Sequence, residues 1–95
     1  MSYGFVYDSR LGIPVPVLSK EWETYDHETQ QQMILTWEKI RGKIPDRIKQ
    51  LEKNIERKQE QLNQEENFEK SCQINSDISD LASTINDLWI WYRTS

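Results

Sequence analysis

Apolar residues in the second half of the chain recur at alternating steps of four and three positions, in two separate arrays. The first array is Ile44, Ile48, Leu51, Ile55 and Leu62, and the second is Ile74, Ile78, Leu81, Ile85, Leu88 and Tyr92. This spacing puts one apolar stripe on each of two helices, as in the seam of a coiled coil. No Gly or Pro follows Pro45, so the pattern predicts two long helices.

The two arrays are out of phase with each other. Heptad steps from Ile48 reach position 76, whereas the second array contains Ile78. A continuous helix would carry its stripe off the seam, so we expect the chain to turn back between the arrays. The best turn candidate is residues 64–68, which gives helices of about 45–64 and 68–92. The alternative turn is 75–77, where Asn, Ser and Asp form a cap signal.

A shorter helix is predicted upstream of this pair, over about 27–41. Asp26 is placed to cap it, and its apolar positions include Met33 and Trp37. Gly42 suits the left-handed position that closes a helix, and Pro45 suits the first turn of the next one. Before Asp26, Ser19 is a plausible cap for a short helix over about 20–25.

The first 18 residues have a different composition, rich in Gly, Pro, Val and aromatic residues. Pro14 and Pro16 favour an extended backbone in the residues before them. We expect this arm to lie on the helices, pair with a second copy or remain mobile. The predicted fold class is therefore all-α: an antiparallel coiled-coil helical hairpin preceded by a shorter helix and an extended N-terminal arm. Residues 1–18 form the arm and 19–95 a single helical domain.

Charge is unevenly distributed within the net value of −4. Residues 1–38 and 59–95 are acidic, whereas 39–58 hold eight basic and three acidic residues. Such alternating blocks suggest compensation within the chain or between subunits. No apolar segment is long enough to span a membrane and no secretory signal is recognisable. Cys72 is the single cysteine, which fits a reducing compartment, so we expect a cytoplasmic protein with no membrane partner.

Residues that could carry catalysis are scarce. His27 is the only histidine and lies at the predicted helix start, while Cys72 has acidic neighbours in place of the cations that activate a thiol. We expect His27 to be solvated and Cys72 to be a small buried residue near the turn. No phosphate-binding, metal-binding or redox motif occurs. The sequence thus predicts no enzyme, no catalytic residue, no cofactor, no metal site and no small-molecule substrate.

The most informative segment for function is the apolar run from Leu88 to Tyr92. The predicted seam covers only Leu88 and Tyr92, so Trp89, Ile90 and Trp91 need further cover. The helix that carries Trp37 and the aromatic arm would supply it in one interpretation; a subunit or partner interface would supply it in the other. Both interpretations can hold together. The interface candidates are Trp37, Trp89, Ile90 and Trp91.

The leading hypothesis is a small non-enzymatic interaction or regulatory module that acts through helix packing, as a homodimer or with another protein. The overall pattern resembles that of small helical bacterial proteins, but no motif identifies a family. The alternative is a nucleic-acid-binding accessory protein that uses the basic 39–58 segment, because clustered cations on a helix neutralise phosphates. That segment has no interleaved aromatic residues for stacking on bases, which favours the first hypothesis. The candidate nucleic-acid face is Arg47, Lys49, Lys53, Arg57 and Lys58.

Overall fold

A computed structural model describes residues 3–93 of the chain. Strands β1 (Tyr3–Asp8) and β2 (Ile13–Leu18) come first, followed by a short 3-10 helix (Trp22–Thr24). Three α-helices follow: α1 (His27–Arg41), α2 (Ile44–Gln64) and α3 (Phe68–Arg93). Contacts divide the chain into two compact units, Met1–Ile44 and Pro45–Ser95.

The prediction of an all-α fold with an extended arm is wrong, because the first strands form a two-stranded antiparallel sheet. The arm pairs with itself: Val6 lies opposite Val15, and Phe5 lies opposite Pro16. In an antiparallel ladder only alternate residues donate to the neighbouring strand. Prolines two positions apart can therefore both occupy positions of β2 that do not donate to β1. The sequence pattern did not predict that the two halves of the arm pair with each other.

The turn between the strands depends on Asp8 and Gly12. The amide of Gly12 donates to the Asp8 carbonyl at 2.7 Å, and the amide of Leu11 donates to the Asp8 side chain at 3.0 Å. Gly12 has a φ of 78°, a left-handed conformation that a residue with a Cβ adopts only at a cost. Gly12 thus enables the turn that joins β1 to β2.

The remainder of the first unit packs around Tyr25 and α1. Residues Leu11, Ile13, Tyr25 and Met33 are buried, and α1 contacts β2. The hydroxyl of Tyr25 accepts a hydrogen bond from the amide of Ser19 at 3.1 Å. Ser19 is therefore bonded to Tyr25 through its backbone, and the segment predicted as a short α-helix is a single 3-10 turn at Trp22–Thr24.

Helix α1 begins at a cap that the sequence predicts. The Asp26 side chain accepts a hydrogen bond from the Thr29 amide at 2.8 Å. At the other end, Gly42 has φ −63° and ψ −18°, so the predicted left-handed conformation is wrong. The amide of Gly42 still donates to Glu38, and that of Lys43 donates to Ile40. Helical geometry therefore continues through Gly42.

In the second unit, residues 65–67 separate α2 from α3, and residues 75–77 lie within α3. The ammonium group of Lys58 on α2 lies 3.2 Å from the carboxylate of Asp77 on α3. Because these residues are far apart along the chain, the contact shows that the two helices come together. No helix within residues 3–93 is both long and apolar enough to cross a membrane.

The predicted seam lies on the less accessible side of α3, because Leu88 is buried and the other five members are half-buried: Ile74, Ile78, Leu81, Ile85 and Tyr92. Thr84 and Leu88 are the buried residues of this helix, whereas Ile85 is only half-buried. The hydroxyl of Thr84 donates to the Asp80 carbonyl at 2.9 Å, which satisfies this polar group inside the helix. A threonine with an internal partner can thus lie in the buried stripe beside Leu88, although the predicted array does not include it.

Candidate protein interface

The C-terminal turns of α3 present large apolar side chains in contrasting environments. Leu88 is fully buried, while 40% of Trp89 and 51% of Ile90 remain exposed. The ring of Trp89 meets that of Tyr92 edge to face, with centroids 5.6 Å apart. Such perpendicular stacking is a favourable arrangement of aromatic rings. It orients Trp89 on the surface while leaving much of its area accessible.

Trp91 occupies a different position from the other two candidates in this run. Trp91 lies seven positions after Thr84, about two helical turns, so both lie on the same side of the helix. Trp91 is half-buried accordingly. The structure therefore groups Trp89 and Ile90 as exposed candidates and assigns Trp91 to the flank of the buried stripe.

Trp37 belongs to the first unit, on α1. It is half-buried and lies four residues after the buried Met33, on the same face of the helix. The large apolar residues of α1 that are exposed are Ile34 and Leu35, which follow Met33 in the sequence. Met33 and Trp37 thus lie on the less exposed face of α1.

The candidate nucleic-acid face is divided along α2. Lys49, Lys53 and Arg57 are exposed, and each is followed three positions later by an acidic residue. Residues three apart are neighbours on a helix surface. Each exposed cation therefore has a carboxylate one turn away, which produces a surface of mixed sign. The acids are Glu52, Glu56 and Glu60.

The other two cations of this set are half-buried and bonded to nearby side chains. Arg47 donates to the side-chain carbonyl of Gln50 at 3.3 Å. Lys58 donates to Asp77, whose second oxygen accepts from the Gln73 amide at 3.0 Å. The hydrogen bonds from Gln73 and Lys58 lower the pKa of the Asp77 carboxyl. Lys58 therefore contributes to the contact between α2 and α3.

Two residues that matter for this surface are not among the sequence-based candidates. Phe68, the first residue of α3, is 80% exposed. It lies outside the two apolar arrays, so a search for helical stripes passes over it. The sequence nevertheless contains an indication, because Phe68 is an isolated large apolar residue that follows an acidic turn. Thr84 was missed because a polar residue is not expected in an apolar stripe.

The residues considered for chemistry, His27 and Cys72, belong to different units. His27 is exposed, and the amide nitrogen of Gln31 lies 3.2 Å from its Nε2 atom. Cys72 is exposed as well, so the prediction that it is buried is wrong. The physical reason is its place on the side of α3 that faces away from Thr84 and Leu88. Among residues 3–93, no three His, Cys, Asp or Glu side chains are grouped as metal ligands would be.

Comparisons with protein-family models, curated proteins and solved structures give no match to this chain.

Proposed function

We propose that this protein is a non-enzymatic interaction module that forms a homodimer through the exposed C-terminal part of α3. The observation that carries the proposal is the exposure of Trp89 and Ile90 directly beside the fully buried Leu88. Tryptophan is enriched among the residues that dominate binding at interfaces, and its burial contributes a large apolar area. A helix that ends in accessible Trp and Ile is suited to pack against another protein surface.

The proposal includes a cytoplasmic location and no enzymatic activity. A single free cysteine fits a reducing compartment. The chemistry-bearing residues His27 and Cys72 are exposed on helix surfaces, and no metal-ligand group occurs among residues 3–93. Binding to nucleic acid is less well supported than protein binding, because the exposed cations of α2 alternate with glutamates.

Sedimentation equilibrium of the wild type and two variants tests the proposal. We expect the wild type to dimerise at micromolar concentration and Trp89→Ser to weaken the dimer about tenfold or more, since it removes apolar burial. Leu35→Ser is the matched control, because Leu35 is 59% exposed on α1. A wild type that stays monomeric at high concentration would refute self-association. Equal weakening by both variants would place the interface elsewhere.

A further inference from the structure

Exposed apolar residues occur at both ends of one face of α3. An α-helix advances about 100° per residue, so Phe68 and Ile90 project from the side opposite to Thr84 and Leu88, and Trp89 lies at the edge of that side, about 100° from Leu88. Phe68 and Ile90 lie about 33 Å apart along the axis. We call this side, from Phe68 to Ile90, the outer face of α3.

The middle of the outer face is uncharged. Among residues 71–90, Asp80 is the only exposed charged residue of α3, and it lies about 100° from Ser79 around the helix. The chain as a whole is 29% charged, and solvated helix faces normally carry much of that charge. This face therefore differs from the mixed-charge surface of α2. Its exposed central residues are Cys72, Asn75, Ser76, Ser79, Ala82, Ser83 and Asn86.

We infer that the outer face of α3 binds the same face of a second copy, with the two α3 helices antiparallel and a two-fold axis at Ser79. This inference rests on the proposed function and names its partner and geometry. A two-fold axis pairs residues at equal distances on either side of Ser79. Phe68 of each copy then packs on Ile90 and Trp89 of the other, so all three exposed apolar residues are covered.

The charges at the two ends of α3 favour a second copy in antiparallel orientation. Glu65 and Glu66 lie just before α3, and Arg93 is its last residue. In the antiparallel pair, Arg93 of one copy comes close to Glu65 and Glu66 of the other. The chain thus presents opposite charges where its two ends would meet, which favours this orientation over a parallel one. In a parallel pair, Arg93 would meet Arg93.

The small central residues suit the same arrangement. Two helices approach most closely near their crossing point, where large side chains would hold them apart. Ser76, Ser79 and Ala82 lie at this point. The apolar contacts then form at both ends, where Phe68, Trp89 and Ile90 provide the bulk. The surface is self-complementary in shape and in charge.

Disulfide trapping tests the register. In a Cys72→Ser background, Ser79→Cys should give a disulfide-linked dimer on mild oxidation, because the axis brings the two thiols together. Lys53→Cys in the same background is the control, since it is equally exposed on α2 and should stay largely unlinked. Native Cys72 combined with Asn86→Cys should also link, because these positions face each other across the axis.

Sedimentation of Phe68→Ser separates this inference from the proposed function. The antiparallel register predicts that it weakens the dimer about tenfold, as Trp89→Ser does, although Phe68 is at the opposite end of the helix. A dimer that is insensitive to Phe68→Ser and gives no Ser79→Cys cross-link would overturn the antiparallel pairing while leaving self-association intact. A monomeric wild type would overturn both.

Discussion

Leu88 and Trp89 are adjacent on α3, yet Leu88 has no exposed surface and Trp89 keeps 40% of its own. Successive helical residues differ in direction by about 100°, so one side chain enters the buried stripe and the next one leaves it. Leu88 is therefore assigned to folding, and Trp89 is assigned to association between copies. Leu88 is a buried core residue, and Trp89 belongs to the proposed interface.

The first prediction concerns stability at these two positions. Leu88→Ala should destabilise the fold by about 2–5 kcal/mol, because it leaves a cavity in a closed core. Trp89→Ala should cost the monomer less, about 1–2 kcal/mol, because it removes the contact with the Tyr92 ring but leaves no closed cavity. Urea denaturation at a concentration low enough to keep the chain monomeric measures both values. Equal losses would mean that Trp89 is a core residue.

The second prediction compares two glycines. Gly12→Ala should destabilise the protein by about 1 kcal/mol, because the left-handed conformation is strained for alanine. Gly42→Ala should stabilise it by about 0.5–1 kcal/mol, since Gly42 has helical dihedral angles. A Cβ on Gly42 would lie 3.5 Å from the nearest carbonyl oxygen, an ordinary contact.

Thermal and urea denaturation of the two alanine variants check this pair. Gly12→Asn serves as a control for the turn, because asparagine tolerates the left-handed region better than alanine does. Its stability should lie between those of the wild type and Gly12→Ala. A destabilised Gly42→Ala variant would contradict the helical geometry at the end of α1.

The third prediction is a dependence of stability on pH. Hydrogen bonds from the hydroxyl and amide of Thr29 lower the pKa of Asp26, and those from Gln73 and Lys58 lower the pKa of Asp77, from the ordinary value of 3.8. The folded state thus binds these two protons less readily than the unfolded state does. Their contribution to stability is fully present above pH 3.8 and is lost as the pH falls through the lowered values.

Urea denaturation across this acidic range, from about pH 2 to pH 6, measures the effect. The double variant Asp26→Asn, Asp77→Asn should lose stability less steeply than the wild type as the pH decreases. Glu56→Gln, Glu60→Gln is the control, because these exposed glutamates have the same charge without those bonds. Parallel curves for the wild type and the double aspartate variant would contradict the assigned interactions.

The fourth prediction addresses the basic segment of α2. We expect no binding of the wild type to mixed-sequence DNA or RNA at micromolar concentration and physiological salt, because glutamates lie beside Lys49, Lys53 and Arg57. Fluorescence anisotropy with labelled oligonucleotides measures the binding. Binding that weakens with salt and disappears in a variant with glutamine at these three positions would support the nucleic-acid alternative.

Local interactions and the turn between α2 and α3 could be predicted from the sequence, whereas the pairing of β1 with β2 could not. Asp26 is recognisable as a cap because its bond to Thr29 spans a single turn. The sheet was missed because β1 and β2 have no strong hairpin signal, and prolines in a strand usually argue against pairing. The conformation of Gly12 becomes clear only when both strands are present.

Some residues of the candidate site could likewise be identified from the sequence, whereas others could not. Trp89 and Ile90 stand out in the sequence because five large apolar residues in succession cannot all enter one stripe. Trp91 could not be separated from them, since its burial follows from the position of Thr84 in the stripe. Phe68 gains significance only when its side of α3 is known to be the one that carries Trp89 and Ile90.

The most direct test of the outer face as an interface between copies is the dimer dissociation constant of Ser79→Glu, measured by sedimentation equilibrium. The change places two carboxylates at the two-fold axis, where like charges repel each other without a partner, so we expect the dimer to weaken about a hundredfold or more. Gln59→Glu, which adds the same charge on exposed α2, should leave the dissociation constant unchanged. A Ser79→Glu variant that dimerises as tightly as the wild type would contradict the account.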